Sequence, residues 1–208
     1  MKNIMIDLET MGTGSNAAIC SIGAVEFDLE SGTLGREFYE TVDLQSSVNA
    51  GGAMDASTVL WWLKQSEAAS KELLGPSTDI YVALTLLTDW MGDSETPLKE
   101  IRIWGNGADF DNVILRNTYE RLALVAPWSP WANRCYRTIK SMNGDLVIER
   151  TGIHHNALDD AKSQAQHLIK LMQRTIILQE CLDCGDTFGR TTTDDKSACT
   201  TCTNNPHL

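Results

Sequence analysis

The chain has 208 residues, 42% of them hydrophobic and 22% charged, and a formal net charge of -11. That length suits one domain of about 150 to 180 residues with a small appendage, and the acidity argues against a broad basic face that grips polyanions in general. No run approaches the roughly 18 apolar residues of a membrane span, and Asp7 and Glu9 interrupt the N-terminal apolar stretch, so neither a membrane association nor a secretory signal is expected, and an intracellular protein is.

Residues 2–8, 17–28 and 35–44 have strand-like content, separated by Gly12-Thr13-Gly14-Ser15 and Ser31-Gly32-Thr33, which predicts a meander of three strands. On the first of these, Asp7 and Glu9 stand two residues apart, and alternate residues of a strand share a face. Two carboxylates about 4 Å apart repel by roughly 4 kcal/mol at an effective dielectric of about 20, so the pair is stable mainly with a shared proton or a divalent cation such as Mg²⁺ or Mn²⁺. The alternative turns Ile4, Ile6 and Leu8 to the core and leaves Met5, Asp7 and Glu9 on a solvated face.

From Asp55, a plausible N-cap, Thr58, Leu60, Trp61, Trp62 and Leu63 predict a helix, in a region that Pro76 ends after Leu73-Leu74-Gly75. Residues 78–91 carry apolar side chains at helical spacing and predict an amphipathic helix over the sheet. Ile101 to Trp104 reads as a strand entering Gly105-Asn106-Gly107, with a helix from about Asp109 through Leu122. This strand-to-helix junction, where sites of open α/β layers lie, carries a second acidic cluster, Asp109 and Asp111; Asp109 could also be a simple N-cap.

Pro127 to Trp131 reads as a loop, Cys135 to Ile139 as a short strand, and residues 156–174 as the clearest helix, with Leu158, Ala161, Ala165, Leu168, Ile169 and Met172 on one stripe. Its approach, His154-His155-Asn156, is followed by Asp159 and Asp160, so a proton acceptor near neutral pH lies within about one and a half turns of two carboxylates. Periodicity does not choose between Asp159 and Asp160. Beyond Ile177 the apolar content falls away, which puts a boundary near residue 178 and divides the chain into 1–177 and 178–208.

The short segment holds four of the six cysteines as Cys181-x-x-Cys184 and Cys199-x-x-Cys202, with fourteen residues between the pairs. That spacing reads as a zinc ribbon with one structural Zn²⁺, and thiolate ligation worth on the order of 10 to 16 kcal/mol could fold a segment with almost no core. Cys20 and Cys135 read as buried small side chains.

Taken together, the three acidic clusters resemble the DEDDh family of 3′-5′ exonucleases, through most of residues 1–176. Asp-x-Glu-Thr is met by Asp7, Glu9 and Thr10; an Asn followed closely by Phe-Asp is met by Asn106, Phe110 and Asp111; a His followed five residues later by Asp is met by His155 and Asp160. The tyrosine-bearing sister group has Tyr where this chain has Asn156. Trp61-Trp62-Leu63-Lys64-Gln65 and Trp104-Gly105-Asn106-Gly107 look like the branch of phage exodeoxyribonuclease VIII-like proteins and a mycobacterial exoribonuclease. The tryptophan pair reads first as core packing and second as a base-stacking platform.

The resemblance implies an α/β, ribonuclease-H-like fold, with a mixed five-stranded sheet flanked by helices, here followed by the ribbon. It also selects Asp111 over Asp109, Asp160 over Asp159 and His155 over His154. By the same resemblance Asp7, Glu9, Asp111 and Asp160 would hold two Mg²⁺ or Mn²⁺ ions, His155 would act as general base, and Thr10 and Asn106 would touch the terminal nucleotide. The implied activity is a 3′-5′ exonuclease of a bacterium or phage-infected cell, cytoplasmic, releasing nucleoside 5′-monophosphates from DNA or RNA 3′ ends, single strands in preference to duplex. Many relatives are dimers, so a homodimer is an expectation too. Two alternatives stand beside it: a non-catalytic nucleic-acid or protein adaptor using the ribbon, and an endonuclease or resolvase on the same fold.

Overall fold

Alternation of β-branched and other apolar residues at the start of the chain produces three antiparallel strands, β1 (Lys2–Thr10), β2 (Ile19–Phe27) and β3 (Leu34–Thr41). The computed structural model describes residues 2–92, 100–144 and 146–182. β4 (Ile101–Gly105) lies parallel to β1, and β5 (Asn133–Cys135) parallel to β4. The result is a mixed five-stranded sheet in the order β3-β2-β1-β4-β5. The helices are α1 (Leu44–Asn49), α2 (Ala56–Trp62), α3 (Glu67–Leu74), α4 (Ile80–Met91), α5 (Asp111–Arg121), α6 (Tyr136–Met142) and α7 (Ala157–Leu182). Among the described residues, no helix is long and apolar enough to cross a membrane.

The sheet is covered on both faces. Ile4, Ile6 and Leu8 of β1 enter a core with Leu84, Leu87 and Met91 of α4 and Ile114 and Leu115 of α5. On the other face Met5, Val25, Phe27 and Trp104 meet Ala161, Ala165 and Leu168 of α7 and Tyr136 of α6. Full burial of such aliphatic side chains stabilises by about 1.5 to 3 kcal/mol each. The second face of β1 is therefore not a solvated one. Met5 is under α7, and Asp7 and Glu9 continue that row toward the point where α7 begins.

Several elements differ from the sequence expectation. The expected strand at Cys135 to Ile139 is instead the end of β5 followed by α6, because Tyr136 turns inward and its hydroxyl pairs with Nδ1 of His167 at 2.7 Å. The region after Asp55 is two helices, since the Ser66 hydroxyl accepts from Ala69 N–H and starts α3. Asp55 makes no side-chain cap to α2 but takes the Thr13 N–H at 2.7 Å. α1 was not expected; Asp43 caps it by accepting from Ser46 N–H. α7 runs on past residue 174 to Leu182, and no Gly or Pro intervenes to stop it. Cys20 is buried and Cys135 partly so, both as free thiols. The ribbon ligands Cys184, Cys199 and Cys202 lie outside the described residues, and of Cys181 only its backbone, within α7, is described.

Candidate active site

Asp7 pairs across the sheet with Gly23 of β2, and Glu9 with Ser21, just before the register shifts between Glu9 and Thr10. Such bulges re-aim side chains and recur beside active sites. Gly23 decides how near α7 can come. A Cβ there would lie 2.1 Å from the Ala157 carbonyl carbon and 2.3 Å from Leu158 N, so only glycine lets the first turn of α7 rest on the strand beside Asp7.

Asp111 begins α5 and is 3% exposed, reached by the chain turning out of β4. Its Oδ1 accepts from Leu8 N–H at 3.2 Å and its Oδ2 from Asn106 N–H at 3.1 Å, so the backbone on both sides fixes the carboxylate. Gly105 makes room, since a Cβ there would stand 2.3 Å from Oδ1 of Asn112. Asp109 is exposed. Asn106 contributes main-chain contacts, its N–H to Asp111 and its carbonyl to Nη2 of Arg137.

At the third cluster Asn156 Oδ1 accepts from Leu158 and Asp159 N–H and starts α7. Asp160 is buried, and its Oδ2 accepts from His155 N–H at 3.2 Å. Asp159 turns away, accepting from Ile153 N–H at 2.7 Å. His155 has a left-handed backbone, φ 67°, which carries its ring toward β1, with Nδ1 4.0 Å from Oε1 of Glu9. His154 is exposed and stacks on the His155 ring at 3.8 Å.

Ligand oxygens of Asp7, Glu9 and Asp160 all lie within 4.8 Å of one another. Asp111 is close enough to be felt: burial first, then the charges of Asp111, Glu9 and Asp160, hold the Asp7 carboxyl well above the usual carboxylate range. Burial, Asp160 and Asp111 push Glu9 up to about 8. Burial raises Asp111 to about 7 against the pull of the backbone amides of Leu8, Asn106 and Asp111 itself and of Arg137. Burial, assisted by His154, lowers the His155 imidazole. Asp7, Glu9 and Asp111, which resist ionisation, form with Asp160 a crowded set of oxygen donors suited to hard divalent cations, and a neutral imidazole beside them can accept a proton.

The tryptophan pair is split. Trp62 is buried and donates Nε1–H to the Thr10 carbonyl at 3.0 Å, anchoring α2 to the end of β1. Trp61 is 41% exposed, stands 4.8 Å from the His155 ring and lines a cleft of about 390 Å³ with Glu9, Thr10, Ser57 and Phe110. Thr10 lines that cleft, but its hydroxyl donates to the Gly12 carbonyl at 2.8 Å.

Sequence reasoning passed over three residues here. Gln164 donates Nε2–H to Oδ1 of Asp7 at 2.7 Å, and its place one turn after Asp160 was the available signal. Arg150 donates to Oδ1 of Asp160, and nothing in the local sequence pointed to it. Gly23 sits inside an apolar run, where an isolated glycine marks close backbone approach.

The fold has solved counterparts. The nuclease domain of 3′hExo, a DEDDh family member bound to rAMP, matches with a TM-score of 0.56 at 15% identity, over 83% of this chain and 92% of its own. A 3′-exonuclease solved in recognition of the histone mRNA stem-loop matches at 0.56 and 14%, over 83% and 82%. Exonuclease I of E. coli, in a zinc-bound complex with single-stranded DNA, matches at 0.58 and 14%, over 88% of this chain and 43% of its own. At these identities the likeness concerns the fold. No curated protein matches the chain in sequence. The family model described as the 3′-5′ exoribonuclease Rv2179c-like domain matches residues 2–172, a span that takes in all three acidic clusters, and the chain belongs to that family.

Proposed function

We propose that the chain is a divalent-metal-dependent 3′-5′ exonuclease that acts on single-stranded nucleic-acid ends and releases nucleoside 5′-monophosphates. One observation carries this reading: ligand oxygens of Asp7, Glu9 and Asp160 lie within 4.8 Å of one another, with Asp111 felt at the same centre and His155 at its edge.

In this reading Asp7, Glu9, Asp111 and Asp160 would hold two Mg²⁺ or Mn²⁺ ions. Those ions would supply charge neutralisation on the phosphodiester and acidify the attacking water. His155 accepts the proton of that water as its oxygen attacks phosphorus; the bond to the leaving 3′ oxygen breaks, and that oxygen is protonated from solvent. Gln164 keeps Asp7 aimed, and Arg137 steadies the Asn106 turn that holds Asp111. The cleft beside Glu9 takes the terminal nucleotide, with Thr10 and Asn106 near it and Trp61 offering a stacking face that reads no sequence. A single strand, whose bases are free to stack on such a face, suits that arrangement. Known relatives of the fold supply a parallel, since the structures matched include complexes with rAMP and with single-stranded DNA.

We further assign Cys181, Cys184, Cys199 and Cys202 to one structural Zn²⁺ in a ribbon that begins at the end of α7 in place of the expected boundary near residue 178, since residues 178–182 continue that helix. That segment carries Asp183, Asp186, Asp194 and Asp195, so its role would be strand guidance or assembly, such as a homodimer, in preference to a phosphate clamp.

The test is digestion of 5′- and 3′-labelled DNA and RNA oligonucleotides, single and double stranded, with Mg²⁺ or Mn²⁺ and with chelator. Stepwise shortening from the 3′ end, stopped by chelation, is expected. Cleavage of a circular strand would replace the proposal with an endonuclease, and binding without turnover would replace it with an adaptor.

A further inference from the structure

Both oxygens of Asp160 are engaged: Oδ2 by the His155 N–H at 3.2 Å and Oδ1 by Nη1 of Arg150. The two donors differ in how readily they yield. The His155 amide is part of the turn that starts α7. Arg150 lies on the connection between α6 and α7, and its side chain is 45% exposed, against 10% for Asp160. If Asp160 shares a cation with Asp7 and Glu9, that cation and the guanidinium contend for the same carboxylate. The backbone around Arg150 is tied down without it, since Thr151 N–H donates to the Ser163 hydroxyl at 3.1 Å and Ile153 N–H to Asp159 at 2.7 Å. Arg137, the guanidinium on the Asp111 side, is held differently, on the Asn106 carbonyl.

We propose that Arg150 is a resident counter-cation of the acidic site, holding Asp160 when divalent ions are scarce and ceding its oxygen as they bind. This rests on the two-metal reading above. The device keeps Asp160 and the adjoining His155 turn in position without leaving the Asp160 carboxylate uncompensated among its crowded neighbours, and the equilibrium cost is a weaker apparent affinity for the ion.

Removing Arg150 takes away both a competitor and a like charge, and the two effects have the same sign. Titration calorimetry with Mn²⁺ alone, no nucleic acid present, is therefore expected to show Arg150→Ala binding about 3- to 10-fold more tightly than the parent. Arg150→Lys, which keeps the charge, should stay within about twofold. The melting temperature of chelator-treated Arg150→Ala should fall, and saturating Mn²⁺ should raise it by more than it raises the parent's. A folded Arg150→Ala that binds Mn²⁺ equally or more weakly overturns the proposal and makes Arg150 a fixed strut for the ligand. Asp7→Asn is measured alongside. If it loses Mn²⁺ binding while Arg150→Ala is unchanged, the counter-cation idea alone fails; if Asp7→Asn binds like the parent, or the parent does not bind Mn²⁺, the two-metal reading fails and takes this proposal with it.

Discussion

Replacing Gly23 with alanine tests whether the contact between β2 and α7 sets the geometry of the acidic site. The new Cβ would stand 2.1 Å from the Ala157 carbonyl carbon, and ordinary contact begins at 3.4 Å, so backbone must separate by about 1.3 Å. Neither side is a flexible side chain that can swing aside. Ala157 opens the turn that carries Asp160, and Gly23 is the cross-strand partner of Asp7, so the displacement falls between two members of the carboxylate cluster. Misplacement by about 1 Å in a catalytic arrangement costs on the order of 10²-fold in rate. Overpacking of this kind destabilises by about 1 to 3 kcal/mol, which a cooperative fold survives. We expect kcat on a 5′-labelled single-stranded oligonucleotide to drop about 10²-fold and Mn²⁺ binding to weaken, while calorimetry still shows a single melting transition. Gly144→Ala, where an added Cβ meets nothing within 4 Å, serves as the control and should match the parent. A Gly23→Ala protein with near-parental turnover and Mn²⁺ affinity would refute the reasoning.

Other outcomes follow from the same geometry. Asp7→Asn should abolish hydrolysis and Mn²⁺ binding yet raise the melting temperature of chelated protein, because a neutral amide replaces a carboxyl whose ionisation burial and its neighbours oppose; unchanged turnover would remove Asp7 from the site. His155→Ala should lower the rate by roughly 10² to 10⁴ with metal affinity nearly intact, whereas His154→Ala should do little. An exchange of those two effects would shift the proton acceptor to His154. Stability of chelated protein should decline from about pH 4.5 to about 8 and then level: the unfolded Glu9 carboxyl ionises near its model-peptide value of 4.5 while the folded one holds its proton to about 8, so folding loses ground as the pH rises through that window. Saturating Mn²⁺ should flatten the decline, and a flat urea-denaturation profile without metal would contradict the buried cluster. Protein purified under reducing conditions should carry one zinc per chain by elemental analysis, and its absence would end the ribbon assignment.

Local rules were enough to read a large part of this molecule. The period-two pattern of β1 put Asp7 and Glu9 on one face, the apolar stripe of α7 began beside His155 and Asp160, and the turn after β4 placed Asp111 at a helix start; each follows from backbone geometry within a few residues. Spacing alone did not separate Asp111 from Asp109 or Asp160 from Asp159, because both members of each pair satisfy the same local pattern. Tertiary structure separates them: Asp111 is held by amides of Leu8 and Asn106 and Asp160 faces β1, while Asp109 is exposed and Asp159 is turned to its own loop. The split of the tryptophan pair, the inward turn of Tyr136 that made a helix where a strand was expected, and the parts played by Gly23, Gln164 and Arg150 depend on partners between 10 and 157 residues away. Contacts between distant segments form only when the sheet and its covering helices assemble, so their energies decide the site while leaving little trace in the local order of residues.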